Sequence, residues 1–266
     1  MAEYINDSEH VKMFADSFGS PQYFRCDQLE NGTTLAIAPH RIVLDREPDV
    51  LFKVGFDNCS APGMSMRGFL LRKRAVIRAW AERLPRVTII QLGAIDVNNN
   101  FIGESDKPGK AYCDYVFKFL DDIIEIGESH LANDEAENFR VALRTTHRFL
   151  MVGLSDWGPN FNPKYETSLT PEQYKKARRK YSSAMDLNRR RLWNSYKGVL
   201  FTPMLSHPER NNMHLAPHES TKYAQQILAV CAKLTCTYCR ITMSNKFNRI
   251  EHTADVLKQG TCVGDM

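Results

Sequence analysis

Long apolar runs are missing from this sequence of 266 residues, and none approaches the roughly 18 to 20 residues that a membrane-spanning helix needs. The first residues, MAEYINDSEHVKMF, lack the basic segment and apolar stretch of a secretory signal. The formal net charge is only +4, which does not indicate general electrostatic binding to nucleic acid. We therefore expect an ordinary globular protein with no membrane span and no nucleic-acid partner.

Cysteine is scarce as well, with seven residues, an odd number, most of them isolated within periodic segments. This usage favours reduced thiols and a cytoplasmic location. Two triplets that match a glycosylation acceptor, Asn31-Gly32-Thr33 and Asn58-Cys59-Ser60, argue in the opposite direction, although such triplets often arise by chance.

Periodicity is lost from about residue 236 onward, so we predict one domain over residues 1–235 and a carboxyl-terminal extension over residues 236–266. The extension holds ligand types suited to tetrahedral zinc, but its second half lacks the usual short interval between ligands. We therefore expect no metal and no cofactor. The residues concerned are Cys236, Cys239, His252 and Cys262.

Strand-like and helix-like segments alternate along the chain. Short apolar and β-branched runs predict five strands, and longer stretches with apolar residues at three-to-four spacing predict helices. This alternation is typical of a three-layer α/β/α sandwich with a mostly parallel, five-stranded sheet, whose reactive groups collect at the carboxyl ends of the strands. The predicted strands are 10–17, 49–56, 86–96, 148–158 and 197–205; the predicted helices are 66–84, 111–128, 169–193 and 217–234.

Four of the strand ends carry polar or glycine-containing blocks in a fixed order. They are Phe14-Ala15-Asp16-Ser17, Asn58-Cys59-Ser60-Ala61-Pro62-Gly63-Met64-Ser65, Gly93-Ala94-Ile95-Asp96 and Asn211-Asn212-Met213-His214. This ordered set resembles the four blocks of the SGNH, or GDSL-type, hydrolase family over most of residues 10–235. The resemblance implies an esterase or related acyl hydrolase with Ser17 as nucleophile and His214 as base.

The same resemblance implies that Gly63, Ser17, Asp16, Asn58 and Ile95 line the oxyanion or substrate site. The Ser17 and Gly63 amides would be the oxyanion donors. Asp16 is alternatively a cap for the turn that follows it. Asp96 ends the third block, where a carboxylate bonds loop amides, so we interpret Asp96 as structural.

Three positions depart from the family pattern. Ala15 replaces the first-block glycine, Ile95 the third-block asparagine, and Asn211 the aspartate that orients the base. Losing one oxyanion donor typically costs about 10²–10³ in rate. Replacing the aspartate of a serine-protease triad by asparagine costs about 10⁴.

Other polar residues could compensate for these losses, and the sequence does not choose among them. Asn211 itself could accept the imidazole proton through its side-chain oxygen. Glu209 or Asp156 could replace the aspartate, and Asn98, Asn99 or Gln91 could replace the missing oxyanion donor. The sequence thus predicts a slow or atypical hydrolase acting on a small-molecule, glycan or lipid ester. The alternative is a catalytically inactive protein that keeps the fold and binds a ligand or partner.

Overall fold

The structure is a computed structural model that describes residues 10–19, 34–37, 52–98, 108–153 and 199–202, together with Ala224, Ile227 and Cys231. Six strands within these residues form one sheet. They are β1 (His10–Ala15), β2 (Thr34–Ile37), β3 (Phe52–Asn58), β4 (Val87–Gln91), β5 (Arg148–Val152) and β6 (Val199–Thr202).

The strands lie in the order β2-β3-β1-β4-β5-β6, and every neighbouring pair is parallel except β2 and β3. The mostly parallel sheet is therefore confirmed, and each predicted strand overlaps one of the parallel strands. The predicted number of five is wrong, because the antiparallel edge strand β2 adds a sixth. With only four residues, β2 is too short to show a clear strand period.

The parallel strands follow the doubly wound order in which the chain moves from β1 to one side and then returns to the other. The direction reverses between β1 and β4, which are hydrogen-bonded neighbours in register from Val11 opposite Val87 to Ala15 opposite Gln91. In open α/β sheets, ligands bind outside the carboxyl ends of the strands at this reversal. The residues just after Ala15 and Gln91 therefore lie where folds of this kind bind ligands.

Two predicted helical segments agree with the structure. Residues 66–84 form two helices that meet at Lys73, and 111–128 lie within one long helix. Hydrogen bonds from the Lys73 amide to the Phe69 carbonyl and from the Ile77 amide to the Lys73 carbonyl bridge the junction. The helices are α1 (Met66–Arg72), α2 (Arg74–Glu82), α3 (Ala94–Asn98), α4 (Pro108–Glu128) and α5 (Asn133–Thr145).

Helix α5 is not predicted by the sequence pattern, because only Ala136 and Phe139 of its 13 residues are buried. Its apolar stripe is too narrow to stand out from its polar surroundings. Among the described residues, no helix has both the length and the apolar character to cross a bilayer.

Both faces of the central strands β1, β4 and β5 are covered. Side chains alternate between the two faces along a strand, and consecutive residues of β4 are all buried. One face contributes Phe14, Ile90 and Phe149 to a core shared with α1, α2, α4 and α5. The opposite face is also buried, including Met13 and Ile89. This burial on two sides is that of a three-layer α/β/α sandwich.

Trp80 of α2 lies at the centre of the helix-side core. Its side chain is fully buried, and its Nε1 donates a hydrogen bond to Thr88 Oγ1 at 2.8 Å. The rings of Phe139 and Phe149 pack around it with centroid separations of 5.5 and 6.1 Å. The indole thus joins α2 and α5 to the sheet, while its one polar group is satisfied.

Part of the sequence prediction falls on residues outside those described. The helix predicted at 169–193 and the extension predicted at 236–266 lie there, so the domain boundary at 235 stays a prediction. Within the helix predicted at 217–234, Ala224, Ile227 and Cys231 are helical and buried. Their spacing of three and four residues is that of one apolar helix stripe.

Candidate active site

A single turn of 3-10 helix, Ser17–Gly19, follows β1 directly at the sheet reversal. The Asp16 amide donates to the Gln91 carbonyl at 3.1 Å, which ties the start of this turn to the end of β4. Asp16 Oδ1 accepts a hydrogen bond from the Phe18 amide at 3.0 Å, and both residues are buried. Ser17 between them is half-buried. The turn therefore fixes Ser17 in a rigid frame while leaving it partly accessible.

Ala15 occupies the position of the first-block glycine without strain. It is the last residue of β1, and an extended strand conformation suits any L-residue. Glycine is instead required at position 19. A Cβ at Gly19 would lie 2.3 Å from the Ala15 Cβ and 3.2 Å from the Ser60 Cβ. The turn after Ser17 can close against its neighbours only because residue 19 has no side chain.

Asn58, at the end of β3, connects this turn to the second loop. Its Nδ2 donates to the Gly19 carbonyl at 2.6 Å, and its Oδ1 accepts from the Ser60 amide at 3.0 Å. The Ala61 amide also donates to the Ala15 carbonyl at 2.9 Å, so the loop runs alongside the end of β1. Both polar atoms of the Asn58 side chain are thereby used on backbone groups. These contacts give Asn58 a positioning role, and the substrate contact expected from sequence stays a prediction.

Gly63 lies at the tip of the second loop in a tight turn. The Met64 amide donates to the Ala61 carbonyl at 3.2 Å, Pro62 precedes the glycine, and Gly63 has a φ of 70°. This combination is typical of a type II turn, which favours glycine at its third position. Gly63 is exposed, and a Cβ there would meet no atom within 4 Å. The side of Gly63 where a side chain would stand therefore faces open space.

The third block follows β4 and enters the short helix α3. Gly93 has a φ of 116°, a conformation that L side chains rarely adopt, and Ile95 is half-buried. Asp96 is buried, with Oδ2 accepting from the Met66 amide at 2.9 Å and Oδ1 accepting from the Tyr115 hydroxyl at 2.6 Å. The Asp96 carboxylate therefore has a structural role, in which it binds the first residue of α1.

Burial shifts the pKa values of both Asp96 and Tyr115. Desolvation raises the pKa of Asp96, and the hydrogen bonds from Tyr115 and from backbone amides oppose that rise. Burial also raises the pKa of Tyr115, and the bond to Asp96 adds to the effect. The tyrosine therefore stays protonated as the donor. Its role is not evident from the sequence, where Tyr115 is one member of an apolar helix stripe.

The proposed base His214 and its neighbour Asn211 lie outside the described residues, as do Asp156, Glu209 and Asn99. Gln91 is buried at the carboxyl end of β4. Asn98 ends α3. The structure thus brings three of the four predicted blocks to one edge of the sheet, around the end of β1. Within the described residues, no group of three or more His, Cys, Asp or Glu side chains is arranged to hold a metal ion.

No protein-family model matches the sequence, and no curated protein matches it. Solved structures with a similar fold include TesA, at 12% identity over 85% of this chain and 99% of that chain, with a TM-score of 0.42. A GDSL-like lipase from Bacteroides thetaiotaomicron VPI-5482 is 13% identical over 88% of this chain and 92% of its own, with a TM-score of 0.44. An inhibitor-bound aryl esterase from M. smegmatis is 13% identical over 85% and 98%, with a TM-score of 0.46.

Identities and TM-scores in this range do not establish a common activity.

Proposed function

We propose that this protein is a serine acyl hydrolase of the SGNH type that cleaves an ester through Ser17. The observation that carries the proposal is the position of Ser17 at the sheet reversal, half-buried between two buried residues. A nucleophile benefits from such a frame, because catalysis depends on holding the attacking atom in a defined place.

The proposed reaction has two stages. His214 removes the proton from the Ser17 hydroxyl as Oγ bonds to the ester carbonyl carbon, and the carbonyl oxygen becomes an oxyanion. The Ser17 and Gly63 amides stabilise that oxyanion. As the carbon–oxygen bond to the alcohol breaks, His214 protonates the departing alcohol. Water, deprotonated by His214, then cleaves the acyl-enzyme and regenerates the serine.

Two residues argue for a low rate. Ile95 supplies no hydrogen-bond donor where the family pattern has an asparagine, a loss of about 10²–10³ in comparable sites. Asn211 cannot stabilise a protonated imidazole as an aspartate does. The two losses need not multiply, because groups that act together are not additive. About 10³–10⁴ over water can survive when triad members are removed, so slow hydrolysis of an activated ester is the expected activity.

The second candidate is a catalytically inactive binding protein. Ile95 and Asn211 favour it, since both changes remove polar groups that act chiefly in the transition state and leave the ground-state pocket intact. In that case Ser17 would line a ligand site without becoming acylated.

A fluorophosphonate probe separates the two candidates, because it modifies only an activated serine. We expect slow, stoichiometric modification of the full chain, located at Ser17 by peptide mass spectrometry and abolished in Ser17→Ala. Ser60→Ala is the matched control, since Ser60 is also half-buried and lies in the adjoining loop; it should label normally. Absence of labelling at every serine, with the protein folded, would reject the hydrolase and favour the binding protein.

A further inference from the structure

The exposed side of α1 and α2 forms a strongly basic surface. Residues 67–86 contain seven basic residues and a single acidic one, an excess larger than the net charge of +4 carried by the whole chain. Five of the basic residues are exposed arginines on or directly after the two helices, and we call them, with Leu71, the basic face. The arginines are Arg67, Arg72, Arg74, Arg78 and Arg83.

Within the part of the chain that the structure describes, the charges of the basic face are not paired with carboxylates. On α4, by contrast, Lys110 pairs with Asp114 at 2.6 Å and Lys118 with Asp122 at 2.7 Å. The uncompensated positive potential is therefore concentrated on one pair of helices, where it suits an anionic partner.

A large apolar side chain lies in the middle of these arginines. Leu71 is 63% exposed, and it follows Arg67 by one helical turn. Ala75 and Ala79 of α2 are also exposed, and both are small. The surface therefore combines cationic side chains with an exposed leucine.

The basic face adjoins the candidate active site. Helix α1 begins at Met66, three residues after Gly63, and the Met66 amide is held by Asp96. A partner bound along α1 would lie next to the loop that carries Gly63. This proximity suits a partner that itself contains or concentrates esters.

We propose that the basic face binds membrane surfaces that contain anionic lipids. Each Lys or Arg near such a surface contributes about 1 kcal/mol, roughly fivefold in partitioning. An exposed leucine among them can enter the boundary between headgroups and acyl chains. A single-stranded nucleic acid would instead favour exposed aromatic side chains for stacking, and all the exposed residues of α1 and α2 are non-aromatic.

The test is co-sedimentation of the full chain with vesicles of phosphatidylcholine, alone or mixed with phosphatidylglycerol. We expect binding to the mixed vesicles and little binding to phosphatidylcholine alone. The bound protein should be released as salt is raised from about 0.15 M to about 1 M, because the Debye screening length falls to about 3 Å at the higher concentration. Ser17→Ala should bind equally well. The result for membrane binding is therefore independent of whether the protein is a hydrolase.

Two matched pairs of variants locate the surface. Arg78→Gln should weaken binding about fivefold, whereas Arg144→Gln, which removes an exposed arginine from α5, should not. Leu71→Gln should weaken it about tenfold, whereas Val141→Gln, at a 49% exposed position on α5, should not. The proposal would be overturned if the two variants of each pair had equal effects, or if the protein bound both vesicle types equally. Binding to RNA without binding to anionic vesicles would also overturn it.

Discussion

The Tyr115 hydroxyl donates a hydrogen bond to Asp96 Oδ1 at 2.6 Å, and the other oxygen of the same carboxylate accepts from the Met66 amide. Through these two bonds α4 holds the start of α1, and with it the loop that carries Gly63. A buried carboxylate tolerates its charge only when such donors are present. Tyr115 is therefore a positioning residue for the candidate site.

Tyr115→Phe should reduce the free energy of unfolding by about 1–3 kcal/mol at neutral pH, the cost of a lost donor to a buried acceptor. Burial has already raised the pKa of Asp96, and loss of the tyrosine bond should raise it further. A carboxyl group whose pKa is raised in the folded state lowers the free energy of unfolding only above its unfolded pKa of about 4. Urea unfolding should thus show a smaller loss near pH 4 than near pH 7. An equal loss at both pH values would contradict this role for the ionised carboxylate.

Gly19→Ala should destabilise the protein by about 1–3 kcal/mol, because the new methyl group would overlap the Ala15 side chain. Ala15→Gly alone should cost about 0.5–1 kcal/mol, since glycine is unfavourable within a strand. The double variant removes the worst overlap, so its loss should be smaller than the sum of the single losses. Strict additivity in denaturant titrations would show that the two positions do not contact one another.

His147 should make stability fall on acidification. Its ring is buried between Trp80 and Phe149, and its Nδ1 bonds the Pro85 carbonyl at 2.6 Å. Burial lowers the pKa of His147 to about 3, with a smaller contribution from Arg148. A histidine with a lowered folded pKa contributes full stability above its unfolded pKa of about 6.5, and that contribution is lost as the pH falls toward 3.

The expected size is up to about 1.4 kcal/mol per pH unit within that window. It is measured as the difference in unfolding free energy between the parent and His147→Phe across pH 4 to 8. The difference should shift with pH in favour of the variant as the solution becomes more acidic. His130→Gln is the control, because His130 is exposed and contacts Glu82 at the surface. A flat difference for His147→Phe would mean that its ring is not held neutral.

Ile95→Asn should increase the rate of ester hydrolysis. The residue follows the end of β4 and is half-buried, so a smaller amide side chain fits there without overpacking. If the third-block position faces the oxyanion, the restored donor should raise kcat by about 10²–10³ with little change in KM. Ile95→Ala is the control for size alone. A gain equal to that of the alanine variant would show that residue 95 does not face the reacting carbonyl.

The sequence predicts the frame of this fold better than its side-chain contacts. Continuous apolar runs identify the five parallel strands, since strands buried on both faces have little room for polar residues. Helix α5 and strand β2 escape detection because one has a narrow apolar stripe and the other only four residues. The block pattern also places Ser17 directly after β1 and Gly63 in the loop after β3.

Contacts such as Asn58 with Gly19 and Tyr115 with Asp96 could not be predicted. They join residues 39 and 19 positions apart, and they depend on how each side chain is directed after the elements pack. The sequence predicts a substrate contact for Asn58 but not the bonds of its amide to the Gly19 carbonyl and the Ser60 amide. Residue type at a strand end indicates where chemistry can occur, but packing decides which hydrogen bonds each side chain forms.

The separation between Ser17 Oγ and the nearer ring nitrogen of His214 tests the proposed mechanism most directly, and a crystal structure of the full chain would measure it. We predict a hydrogen-bonding distance of about 2.6–3.2 Å, with Asn211 or a carboxylate bonded to the other ring nitrogen. A structure in which residues 17 and 214 lie on opposite sides of the molecule would contradict the assignment of a serine hydrolase.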